Sequence, residues 1–164
     1  GNPQNFSRPN GIYEAPTDFV DLPSRGRFYS KDSPLYGLEQ VEVKYMTAKE
    51  EDLLVSPGLQ KSGLAIDRVI ESLVVDKRIK AKELLVGDKN AILMNVRKNA
   101  FGDEYTFSYT CNKCGEANKH TESFDNIKIK EIENSEDCSI TDSGTILIKL
   151  PKSGASVEIG RAHV

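Results

Sequence analysis

The sequence predicts an α+β fold: a small helical layer packed on antiparallel strands, with a CxxC-tipped β-hairpin. Two observations predict it. Apolar residues recur at three- and four-residue spacing over 64–76 and again over 88–100, each giving one helical stripe. On either side of these stretches the period falls to two, in "VEVKY" at 41–45 and in "YTFSY" at 105–109. At 164 residues the chain is the size of one domain with a small appendage. A chain of that length buries roughly 70% of its unfolded surface, so it needs neither a disulfide nor a metal to fold.

The first twenty residues read as a flexible arm. Pro3, Pro9 and Pro16 each remove a backbone donor, and no periodicity accompanies them. The arm runs into "FVDLPSRGRFYSKDSPLYG", where Phe19, Leu22, Phe28, Tyr29, Leu35 and Tyr36 are scattered among turn formers. Such a stretch cannot build its own core. It lies across a surface and pegs its aromatics into it, either on its own domain or on a neighbouring subunit. Phe19, Phe28 and Tyr29 are the candidate partner contacts.

The core is expected over residues 21–132. "LEQVEVKYM" alternates Val41, Val43 and Tyr45 against Glu42 and Lys44, the pattern of a half-buried strand. Thr47 and Glu50 then form a capping box, and "SPG" at 56–58 stops a short helix. A second helix is expected over 64–76, with Ile66, Val69, Ile70, Leu73 and Val74 facing inward. A third opens at Asp88 as N-cap, runs to Ala100 and closes at Gly102; Ile92, Leu93, Val96 and Ala100 form its inner stripe. "DEYTFSYTC" and "EANKHTESFD" then pair as a hairpin. Charged residues follow as a link, and residues 133–164 hold that link and the start of a further β segment, "GTILIKLP" with "ASVEIG". The last residues stop in mid-pattern, which reads as a fragment of a longer protein.

Composition narrows the function. A net charge of −3 favours neither nucleic acid nor an anionic membrane. No apolar run approaches ~18 residues. The N-terminal stretch has no apolar core of a signal peptide, and three cysteines argue against a secreted disulfide scaffold, so the protein reads as intracellular when made. No Walker loop, GxGxxG, HExxH or GxSxG is present. The two histidines are His120 and His163, and neither completes a nucleophilic pair with a third, orienting group. Asp67 and Glu71 share a helical face, the usual sign of solvated charge rather than of acid/base chemistry.

Cys111 and Cys114 frame a knuckle, "CNKCG", in which two thiolates can point at one ion while turn amides stabilise their charge. Tetrahedral zinc needs two more ligands. Cys138 and His120 are the candidates within the chain. Three readings stay open: a zinc site completed by these two, a site lost or shared with another chain, and plain reduced thiols or a local disulfide.

The blocks "MTAKEED", "LLVGDKNAIL" and "TCNKCG", in order between Leu22 and Ile159 and followed by "LPKSG", resemble the T4-type bacteriophage baseplate protein family, small hub or hub-assembly proteins of contractile tails. The resemblance implies a non-enzymatic part in baseplate construction, other hub proteins as partners, and a place in the host cytoplasm during assembly or in the virion tail. It implies no catalytic residues and a further segment beyond "LPKSG". Its cysteine pair matches Cys111 and Cys114 only. The alternative class is a zinc-ribbon-like nucleic-acid adaptor, which would require basic clustering at the knuckle. Lys113, Lys119 and His120 are there, but Glu104, Glu116, Glu122 and Asp125 offset them.

Overall fold

The computed structural model describes residues 15–128 and 136–160. Its centre is an antiparallel pair, β1 (Thr17–Asp21) and β2 (Gln40–Lys44), in a register that sets Val20 opposite Val41. Alternation turns Val20, Val41 and Val43 inward and leaves Phe19 outside. Residues 17–20, expected in the arm, are therefore most of a strand. They contribute valine and pairing partners to the sheet, which composition around Pro16 did not reveal. Residues 1–14 of the expected arm lie outside the described residues. Tyr45, expected inward, is exposed, although its amide still donates to the Pro16 carbonyl at 2.9 Å.

The connection from β1 to β2 folds back on itself rather than crossing a surface. The Leu22 amide donates to the Glu39 carbonyl at 2.8 Å, and Gly37 to Gly26 at 3.0 Å. At Gly26, with φ of 68°, a Cβ would sit 2.3 Å from the Leu38 nitrogen. Only glycine permits so close a crossing. The fold-back drives Leu22, Tyr29 and Leu35 into the core.

Four α-helices follow among the described residues. Helix α1 (Ala48–Val55) opens where expected: the Glu50 carboxylate accepts from the Thr47 amide at 3.0 Å and from the Thr47 hydroxyl at 2.5 Å. "SPG" does not simply stop it. Pro57 begins a second short helix, α2 (Pro57–Ser62), occupying the first helical position, where its missing donor costs nothing. Helix α3 (Ala65–Leu73) buries Val69, Ile70 and Leu73, with Val74 just beyond. Ile66, expected inward, is exposed. The chain then returns to the sheet, where Val75 donates to the Glu42 carbonyl at 3.0 Å.

Helix α4 (Val86–Phe101) begins three residues earlier than expected, with Leu85 rather than Asp88 as N-cap, and closes at Gly102. Ile92 and Val96 are buried and Ala100 is exposed. Asp88 is not a cap. It is fully buried, accepting from the Ser24 amide at 3.0 Å, the Ser24 hydroxyl at 2.6 Å and the Tyr29 hydroxyl at 2.6 Å. A buried carboxylate demands such partners, and these tie the fold-back to the first turn of α4.

Among the described residues, two further sheets stand beyond the core. β3 (Glu104–Thr110) and β4 (Ala117–Ser123) pair antiparallel. β5 (Cys138–Ile140), β6 (Ile146–Lys149) and β7 (Ser156–Ile159) form a three-stranded antiparallel sheet in sequence order. The expected pair of strands at the end is thus joined by β5, too short to show periodicity. The β5–β6 turn rests on the fold-back: Lys31 donates its amide to the Asp142 carbonyl at 3.3 Å, and a Cβ on Gly144 would lie 2.7 Å from the Phe28 carbonyl oxygen.

Candidate functional site

The pairing of β3 with β4 places Tyr105, Phe107 and Tyr109 on one face, directly opposite Glu122, His120 and Asn118. The rings stack down the strand, with centroids 5.8 Å apart from Tyr105 to Phe107 and 6.2 Å from Phe107 to Tyr109. The His120 ring meets Phe107 edge-on at 5.4 Å, and its Nε2 lies 3.3 Å from Glu122 Oε2. At the base of the face, the Arg97 guanidinium lies 4.8 Å from the Tyr105 centroid, 5.4 Å from Phe101 and 5.8 Å from Phe124. This ties the two strands to the end of α4 by cation–π attraction. Every residue of β3 is exposed; Tyr105, Phe107 and Tyr109 retain 42%, 38% and 51% of their accessible surface. A two-stranded sheet with its aromatic face in water is marginal on its own. In the sequence these three aromatics read as a strand signal and not as a site. The available signal was their i, i+2, i+4 spacing, with only Asn118, His120 and Glu122 on the facing strand to cover them.

Cys111 and Cys114 lie in the connection between β3 and β4, in neither strand. The Cys111 amide donates to the Glu116 carbonyl, and Gly115 to the Cys111 carbonyl, both at 2.9 Å; Gly115 takes a φ of 72°. Inside this turn the Cys111 sulfur accepts from the Cys114 amide, then from the Lys113 amide and the Cys114 thiol, which holds the Cys111 pKa below that of an ordinary thiol. The structure does not bring the other candidate ligands here. His120 stands three residue pairs down the strand from Ala117, about 10 Å away along it. Cys138 belongs to β5, paired with Ile148 in the other sheet. All three cysteines are free thiols, and among the described residues no three His, Cys, Asp or Glu side chains converge as a metal site.

A family model described as T4 bacteriophage base plate protein matches residues 17–160. The chain belongs to that family. No curated protein and no solved structure matches it. Membership makes it a structural protein of the phage baseplate, with other phage proteins as partners. Among the described residues, no helix is long and apolar enough to cross a membrane.

The three arm aromatics of this baseplate protein have different fates. Tyr29, only 2% exposed, belongs to the domain's own core. Its hydroxyl donates to Asp88 and accepts from the Leu85 amide at 2.9 Å, so Tyr29, expected as a partner contact, serves the domain's own core instead. Phe28 is half-buried beside the β5–β6 turn. Phe19 is 60% exposed and borders an open groove of about 560 Å³ between β1, α4 and Phe124. Met94, Ala91 and Ile127 make the groove apolar, while Asp21, Asn95 and Lys98 supply polar atoms. Asp67 and Glu71 both have structural partners: Lys89 Nζ lies 2.8 Å from Asp67 Oδ1, and Glu71 accepts from the Ala81 amide at 3.3 Å.

Proposed function

We propose that this baseplate protein is a non-enzymatic component or assembly factor of the contractile-tail baseplate hub, and that it works by protein–protein contact through the aromatic face of β3–β4. The uncovered Tyr105–Phe107–Tyr109 stripe is the observation that carries this reading. Tyrosine and phenylalanine side chains offer large contact area at small entropic cost, and Arg97 and His120 at the same face supply polar anchors. Phe19 and the neighbouring groove extend the contact surface towards α4. The zinc-ribbon adaptor reading gains nothing from the fold: Lys119 sits opposite Ser108, while His120 shares its face with Glu122.

The test pairs Phe107→Ser with Tyr109→Ser. Both side chains are exposed, so the double variant should keep its melting temperature within a few degrees while losing co-purification with the phage's other hub proteins. Undiminished co-purification would overturn the assignment of the contact to this face. Mass spectrometry of purified virions separates the two roles: a hub component is present at fixed stoichiometry, an assembly factor is absent.

A further inference from the structure

β1 is an edge strand. The Leu22 amide donates to the Glu39 carbonyl and the Tyr45 amide to the Pro16 carbonyl, at either end of the register that pairs Val20 with Val41. Hydrogen-bonded pairs alternate along an antiparallel ladder, so Asp18 and Val20 turn their backbone groups towards β2, and Thr17, Phe19 and Asp21 turn theirs away. The Phe19 amide is met by the Asp18 carboxylate of the same strand at 2.9 Å. The amides of Thr17 and Asp21, and the carbonyls of all three residues, have no partner among the described residues. The far side of β2 differs, because there Val75 donates to the Glu42 carbonyl.

The groove of about 560 Å³ lies along this edge, and α4 is its other wall. α4 runs opposite to β1: the Asn95 side chain donates to Asp18 at 3.0 Å, while a Cβ on Gly87 would lie 3.9 Å from Pro23, just beyond the strand. Ala91 and Met94 therefore line the middle of the groove with apolar surface. Lys98, in contact with Asp125, stands with Lys128 at the end where β1 starts, and Asp21 at the end where it finishes.

We propose that β1 takes an extended segment of another baseplate protein as an added strand. The segment is apolar at the alternate positions that face Ala91 and Met94, acidic at the Lys98–Lys128 end and basic at the Asp21 end. The free backbone groups recur at every second residue, about 6.7 Å apart, a repeat that only another extended backbone matches. In such strand addition the main-chain bonds give affinity, and the pockets beside the edge read alternate side chains. Opposite charges at the two ends of the groove fix the direction in which the segment lies. Membership of the baseplate family supplies the class of partner. This edge is separate from the β3–β4 face, and its occupation does not require that contact.

The experiment uses the full chain, isotope-labelled, and short overlapping synthetic peptides that cover the other baseplate proteins of the same phage. Affinity is read by fluorescence anisotropy and location by amide exchange in NMR spectra. In the free chain the amides of Thr17 and Asp21 should exchange fast, while those of Asp18 and Val20 are protected by β2. A bound peptide should protect Thr17 and Asp21 and leave residues 104–123 unchanged. N-methylation of the peptide at alternate amides, in the phase that faces β1, should weaken binding by about tenfold or more, the loss of two main-chain hydrogen bonds. Methylation in the other phase should change little. Lys128→Glu should weaken binding about two- to fivefold, less at high salt. Absence of any binding peptide, equal losses in both phases, or protection confined to residues 104–123 would each overturn the proposal. Fast exchange missing at Thr17 and Asp21 in the free chain would overturn it too, since the chain itself or a second copy would then hold the edge. The peptide modifications leave the chain intact, so they decide even where Lys128→Glu folds poorly.

Discussion

The hydroxyl of Tyr29 lies 2.6 Å from Asp88 Oδ2, joining residues 59 positions apart inside the core. The same hydroxyl accepts from the Leu85 amide, so one oxygen serves the fold-back and the start of α4 together. Tyr29→Phe leaves a part-buried amide and a buried carboxylate each short of a partner. It should cost about 1–3 kcal/mol, and Asp88→Ala more, because Ser24 then also loses its acceptor. Chemical denaturation of the two variants checks this; a loss for Tyr29→Phe within error of zero would contradict it.

Leu73 on α3 is 1% exposed within the main apolar cluster. Leu73→Ala removes its buried methyl groups and leaves a cavity. The expected loss is about 2–5 kcal/mol by equilibrium unfolding, while Ile66→Ala on the exposed side of the same helix should cost far less.

Glu50 ties α1 to α3 by accepting from the Ser72 hydroxyl at 2.6 Å. Burial works against its charge, but the hydrogen bonds from Ser72 and then Thr47 outweigh that and hold its pKa below the ordinary 4.5. The folded-state value is the lower one, so its contribution to stability is complete above the unfolded value. It is lost as pH falls through the folded value. The stability gap between the parent chain and Glu50→Gln should therefore be constant near neutrality and shrink below about pH 4.5. A gap independent of pH down to full acid unfolding would be the contrary result.

The fold should survive removal of metal. The core around Leu35, Leu73 and Ile92 is remote in the chain from Cys111 and Cys114, and a structural zinc would otherwise contribute about 10 kcal/mol or more. Far-UV circular dichroism should be unchanged by a strong chelator. Collapse of the signal would show that the cysteine loop holds the fold together.

What the sequence revealed follows the range of the forces involved. The stripe Val69, Ile70, Leu73 and the alternation Val41, Val43 are local patterns, and both elements sit where those patterns are. Asp88 was legible as a helix-start residue, but its real partners, Ser24 and Tyr29, come from more than fifty residues away, and no local pattern carries that. Pro57 shows the ambiguity of a single signal: the same residue ends one helix and begins the next. β1 was hidden because Val20 contributes to a sheet only once β2 lies beside it. The cysteine pair was visible from its spacing. The aromatic face was visible as a strand but not as a surface, because exposure depends on what the rest of the chain fails to cover.

The most direct test of contact through the aromatic face is hydrogen exchange by mass spectrometry, comparing the free chain with the chain bound to the baseplate hub. The amides of residues 104–123 should exchange readily in the free chain and become strongly protected in the complex, more so than those of β5–β7. Unchanged exchange at 104–123 in a complex verified to contain the chain would contradict the account.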